Sequence, residues 1–170
     1  MNELFIKMLS FYSHYQVKSN ILYNLLLIFS YINLILISFL AATILPFSSE
    51  ILLSAMVATD NYNLVLLLIF ASLGNISGSI INFILGKKIL ILKDKKWFPV
   101  SRTQLSRSQF IFNKYGVWTI LLAWVPIIGD PITILSGTLN VNFFKFLLLV
   151  SISKISRYVF LIYILHYLYF

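Results

Sequence analysis

Four side chains carry charge where charge is expensive. Glu50 and Asp130 each stand four residues after a proline, Pro46 and Pro126, in otherwise apolar sequence. Lys154 and Arg157 lie inside the last apolar run. An ionisable group at membrane depth costs a few kcal/mol or more (on the order of 3) and is retained for function by default. Glu50 and Asp130 are therefore candidates for proton coupling in transport. A helix-capping role competes with this reading. Asp130 precedes Pro131, the pattern of an N-cap followed by proline at the first helical position. Ser49-Glu50 starts a helical piece in the same way. Lys154 and Arg157 are three apart and share a helix face. Arg157 is thirteen residues from either end of the 144–170 run, which makes snorkelling to an interface difficult. Both are expected to turn inward, toward a carboxylate or an anionic ligand.

The surroundings explain why these charges stand out. Hydrophobic residues make up 60% of the 170-residue chain and charged residues 11%, against about 25% charged in soluble domains. No charged residue occurs between Lys18 and Glu50, or between Asp60 and Lys87. Both stretches exceed the roughly 20 residues a spanning helix needs. The chain is thus expected to be an integral protein of an inner or plasma membrane. The formal charge of +8 comes from basic residues flanking apolar segments, which points to anchoring and orientation rather than nucleic acid. There is no cysteine, which excludes disulfides and thiolate chemistry, and no cofactor or metal is expected. The run over 21–45 is long for the apolar core of a signal peptide. HExxH and GxSxG are absent. Gly129-Asp130 matches half of an intramembrane aspartyl protease motif without a second membrane aspartate, so an enzyme is not expected. His14 and His166 have aromatic neighbours and read as interfacial.

Along the chain, residues 1–20 read as an interfacial segment, weakly helical or disordered. A long apolar helix over 21–45 is interrupted by Pro46. A short piece over 50–58, a polar turn at 59–63 and a long helix over 64–86 follow. The 87–116 stretch holds eight of the thirteen basic residues; within it, 103–118 is roughly amphipathic, as a membrane-surface helix would be. A short piece over 117–125 is cut by Pro126, and Gly129-Asp130-Pro131 turns the chain. A second piece covers 132–139, Asn140 and Asn142 make a polar turn, and a final helix runs 143–168. The halves align at an offset of 80, with Pro46 on Pro126, Glu50 on Asp130 and Asp60 on Asn140. This predicts an all-α membrane protein, an inverted repeat with two re-entrant helical hairpins plus spanning helices. Its single membrane domain covers 21–170, with repeat one about 37–86 and repeat two about 117–166. Interrupted hydrophobic segments in matching positions are the pattern of a transporter binding site, because backbone freed inside a bilayer needs protein or a water-filled cavity around it. Kinked spanning helices are the plainer alternative. Gly74, Asn75 and Gly78 form a small-residue face for close helix packing.

Four runs carry a family likeness: FLAATILPFSSE from Phe39, GNISGSIINFILGK from Gly74, KYGVWTILLAWVPIIGDP from Lys114 and SKISRY from Ser153. In this order and spacing, over roughly 37–165, the chain resembles the DedA family (VTT, or SNARE-associated, domain), specifically its short YqaA-like branch. The resemblance implies two facing re-entrant helix pairs. It also implies movement of lipid-linked or phospholipid molecules across the membrane, or a related proton-coupled transport. Two departures matter. Phe47 follows the first proline where relatives usually carry Gly or Asn. Trp124 and Asp130 stand where the wider family has arginines around its second motif. A mechanism needing those arginines does not carry over, and Lys154 and Arg157 are the available positive charges.

The function expected is a transporter or lipid-flipping protein. A non-transporting membrane assembly or envelope-maintenance factor is the alternative. Membrane lipids are the expected partners, protons and an anionic lipid the candidate substrates, and a homo-oligomer is left open. Lysine and arginine bias in short loops places 87–116 in the cytoplasm.

Overall fold

The computed structural model describes residues 2–43, 48–59, 61–88, 110–126 and 128–169. Pro46, Phe47, Asp60 and most of the basic loop lie outside the described residues. The elements are α1 (Asn2–Ala41), α2 (Ser48–Ala58), α3 (Leu64–Lys87), a helical turn over 110–115 that leads into a 3₁₀ helix (Gly116–Trp124), α4 (Gly129–Thr138) and α5 (Phe143–Tyr169). All are helical. Asn20–Ala41, α3 and α5 are each long and apolar enough to cross a membrane.

The breaks fall near the expected places. α1 stops at Ala41 and α2 starts at Ser48, on either side of Pro46. The second break covers 125–128 and contains Pro126. Neither 37–58 nor 117–140 is one continuous helix. Three expectations need correction. Residues 1–20 are not weakly helical: α1 is one helix from Asn2 across the boundary expected at residue 20. The amphipathic helix expected over 103–118 does not continue past Tyr115. There Gly116 adopts φ +62°, a left-handed conformation that ends α-helices and favours glycine, and the chain resumes as 3₁₀. Asp130 does not cap α4 either; the cap position is Ile128, with no side-chain cap bond, and Asp130 sits in the first turn.

Polar turns start two of the long helices by the same device. Asn63 Oδ1 accepts from Val65 N (2.9 Å) and Leu66 N (3.2 Å) at the start of α3. Asn142 Oδ1 accepts from Phe144 N (3.0 Å) and Lys145 N (3.2 Å) at the start of α5. Asn140, at φ 52°, closes α4, with Val141 N donating to Ser136 O at 3.0 Å, the six-to-one bond of a left-handed helix terminus.

α3 is the central post. Its small residues admit neighbouring backbone on two sides. A Cβ on Gly74 would strike Ile35 O of α1, and one on Gly78 would lie 2.7 Å from Phe39 O. Lower down, Cβ atoms on Gly86 or Gly137 would strike Ile134 O or Phe83 O, so α3 and α4 cross at glycine on both sides. Asn82 Nδ2 donates to Ala42 O (2.8 Å), catching a carbonyl just beyond the end of α1. These contacts fix direction: residues 35–42 rise along α1 as 74–82 rise along α3, so the two run parallel. α5 runs antiparallel to α3, with Phe146 stacked on Phe83 (4.4 Å) near one end and Tyr158 beside Asn75 midway. Two apolar clusters fill the bundle, one around Leu34, Leu53, Leu67 and Tyr158, the other around Phe83, Ile120, Ile132 and Phe146.

Candidate functional site

Both short helices present an acid in their first turn, Glu50 in α2 and Asp130 in α4. That position suits a carboxylate, since the unpaired N–H groups and the helix dipole face it. α5 supplies the partners. Arg157 donates from Nη2 to Glu50 Oε1, and Lys154 Nζ stands 3.7 Å from Asp130 Oδ1. The face shared by Lys154 and Arg157 does point inward: their side chains are 2% and 13% exposed. Buried charges need partners of this kind, because an isolated ion would lose its hydration without return.

A neutral network lies between the pairs. Tyr158 OH, adjacent to Arg157 and buried, accepts from Asn75 Nδ2 of α3 (3.0 Å) and donates to Ser49 Oγ of α2 (3.3 Å). Ser153, one residue before Lys154, donates to Leu121 O of the 3₁₀ helix (2.9 Å). A small cavity sits where these elements meet, lined by Ser49, Asn75, Pro126, Asp130, Lys154 and Arg157. Its volume of about 10 Å³ is room for about one water molecule. Asn75 lines it, and its buried Oδ1 has no hydrogen-bond partner among the described residues.

Glu50, Asp130, Lys154, Arg157, Asn75 and Pro126 are thus brought to one place, while Gly74 and Gly78 lie on the α1 seam and Pro131 is buried within α4. Gly129 packs against Ala123 O, which lets the chain fold back after Pro126. Sequence reasoning missed Tyr158 and Ser49 as the neutral link, and Gly86 with Gly137 as a crossing. Gly86 was findable, because it continues the four-residue rhythm of Gly74, Gly78 and Asn82. Tyr158 carried no such signal in a helix rich in aromatics. Chemically, the centre is two cations balanced by two carboxylates at the middle of the bundle. It can hold an anion if a carboxylate is displaced or neutralised. Among the described residues no group of three His, Asp or Glu is placed to hold a metal.

Comparison with known proteins agrees with the likeness in the sequence. The VTT domain model matches residues 45–167. The inner membrane protein YqaA of Escherichia coli is 33% identical over 122 residues, 72% of this chain and 81% of that protein. An uncharacterised protein of Haemophilus influenzae is 28% identical over 137 residues, covering 75% and 82% of the two chains. One of Rickettsia prowazekii is 26% identical over 132 residues, covering 75% and 90%. No solved structure matches.

Proposed function

This chain belongs to the VTT-domain (DedA) family of multi-pass inner-membrane proteins, and from that premise we propose that it moves an anionic lipid-linked or phospholipid molecule across the membrane, with protons as the coupling ion. The observation that carries the reading is the pairing of two acids, from two interrupted elements, with two cations on one helix. With all four ionised, the centre is neutral. An anionic headgroup adds negative charge there, and protonation of Glu50 or Asp130 would offset it. Proton and headgroup binding would then be coupled by electrostatics alone.

In this reading α1–α2 and the 3₁₀ helix–α4 are re-entrant pairs of an inverted repeat. Three features support it. The short helices end at Ala58 and Thr138, 80 residues apart. Ser49 and Asp130, at the inner ends of α2 and α4, lie against mid-bundle residues of α5. The outer end of α2 leads to Asn63, whose N–H donates to Tyr31 OH of α1, whereas the outer end of α4 reaches Gly86 at the opposite end of α3. The basic loop is cytoplasmic, so the start of the apolar part of α1 and the end of α5 face outward.

Reconstituted vesicles test transport. Glu50→Gln and Asp130→Asn should each abolish headgroup-dependent transport, measured per folded protein because Asp130→Asn leaves the buried Lys154 unpaired; retained transport in both would leave the acids a purely structural role. No transport of any anionic lipid by the native chain would favour the assembly or envelope-maintenance role. For orientation, Ser101→Cys should resist a membrane-impermeant thiol reagent in cells whose outer membrane has been permeabilised, and ready labelling would reverse both pairs.

A further inference from the structure

α1 is longer than the bundle it belongs to. Gly74 meets it at Ile35 and Gly78 meets it at Phe39. Carried back along both helices, this register puts Leu64, the head of α3, level with Leu25. Asn24 is the first residue of α1 in the groove against α3, and Ile21, Leu22 and Tyr23 are exposed. The 24 residues of α3 already cross a bilayer core of roughly 30 Å. The part of α1 from Asn2 to Tyr23 therefore continues the helix roughly 30 Å past the bundle. No proline or glycine precedes Pro46, so this overhang lacks the usual residues at which a helix bends sharply back toward the membrane surface. It also lies before the VTT match, which begins at residue 45.

A helix draws most of its stability from packing rather than from propensity, and the sequence of the overhang offers a face for it. Leu4, Met8, Phe11 and Tyr15 recur at alternating spacings of four and three, the repeat of a coiled-coil seam. Asn2, Ser13 and Asn20 fall on the opposite side. The same register runs through Lys18 into the membrane as Leu22, Leu25, Phe29, Ile32 and Leu36. There the structure leaves the stripe open, since these five residues are between 47% and 61% exposed.

We propose that this stripe is the interface with a second copy of the chain, the two α1 helices pairing in parallel and in register from Leu4 to Leu36. Continuity selects the occupant. A partner for the whole stripe must be a helix that crosses the membrane and then continues roughly 30 Å beyond it, as α1 itself does. Copies in one membrane share an orientation, so their two-fold axis stands along the membrane normal and like residues meet. The area suffices. An aromatic side chain offers about 150–250 Å², so the half-open positions from Leu22 to Leu36 supply on the order of 1,000 Å² over both copies, the size at which specific interfaces begin. The overhang adds to this, and it adds the hydrophobic drive that helices surrounded by lipid lack. Lys18 puts a charge at one core position, where a lone polar residue fixes register at a cost in stability.

The test exploits a chain without native cysteine. Phe11→Cys, Leu25→Cys and Ser13→Cys are made singly in the full chain, oxidised with copper phenanthroline in native membranes, and run on non-reducing gels. Phe11→Cys and Leu25→Cys should give covalent dimer, and Ser13→Cys, half a turn away, little. Adding Tyr15→Glu to Phe11→Cys should abolish the dimer, because two carboxylates then oppose each other outside the bundle. Adding Lys18→Leu to Phe11→Cys should raise the dimer yield. Equal yields at Phe11 and Ser13, as an overhang lying along lipid would give, overturn the proposal. So do a Phe11→Cys chain that forms no dimer, a dimer that survives Tyr15→Glu, and a yield that falls with Lys18→Leu.

Discussion

α2 and α4 occupy matching places in the chain and are held in different ways. Eight of the ten residues of α4 are buried, and its glycine crossing with α3 brings backbone against backbone. The buried positions of α2 are Ser49, Leu53, Met56 and Val57, and Ile51 faces outward. The cations differ in the same sense, Lys154 at 2% exposure and Arg157 at 13%, while the acids are alike, Asp130 at 33% and Glu50 at 29%; Glu50 also borders the open groove between α2 and α5. α4 is the more enclosed of the two short helices and α2 the more open. Equivalent sequence positions thus serve unequal roles, because the side each helix presents to α3 and α5 decides what it can do.

The sharpest way to break the comparison is to orphan each acid. Lys154→Met should destabilise the folded protein by about 3–5 kcal/mol, the usual loss when one partner of a buried pair is removed. Arg157→Met should lose less, because Glu50 can reach the groove. Thermal unfolding in detergent measures both, and Lys154→Met/Asp130→Asn should recover most of the loss. Equal losses for the two single variants would erase the distinction between the enclosed helix and the open one. A smaller effect sharpens it: Gly137→Ala must displace the Phe83 carbonyl and should cost about 1–3 kcal/mol, as overpacking does, whereas Ala55→Leu on the exposed side of α2 should stay within about 0.5 kcal/mol. The smallest effect is a control on the halves themselves. Asn63→Ala and Asn142→Ala each remove one side-chain cap and should each lower stability by about 1 kcal/mol. A marked inequality between them would show that the long helices, too, are unequally held.

The parts of this organisation legible in sequence are those in which one residue type carries its own cost. A charge in an apolar run, a proline in a helix and an asparagine before one each announce a place, so α2, α3 and α5 fall within a few residues of expectation. Inward-facing Lys154 and Arg157 followed from their distance to any interface. What sequence could not assign was which acid meets which cation, since Glu50 and Arg157 are 107 residues apart and only the crossing geometry selects the pair. The 3₁₀ winding of Gly116–Trp124 was hidden for a different reason. A run that is apolar at nearly every position, as VWTILLAW is, has no polar face from which to read a period.

Both counter-cations belong to α5, which follows both acids in the chain, and this sets an order on biogenesis. As the chain leaves the ribosome, Glu50 and then Asp130 enter the membrane region with no positive partner, and they stay uncompensated until Lys154 and Arg157 arrive. Nascent chains halted before α5 hold two carboxylates that the finished molecule neutralises. α5 acts as a keystone: its insertion closes the charge balance of both acids together.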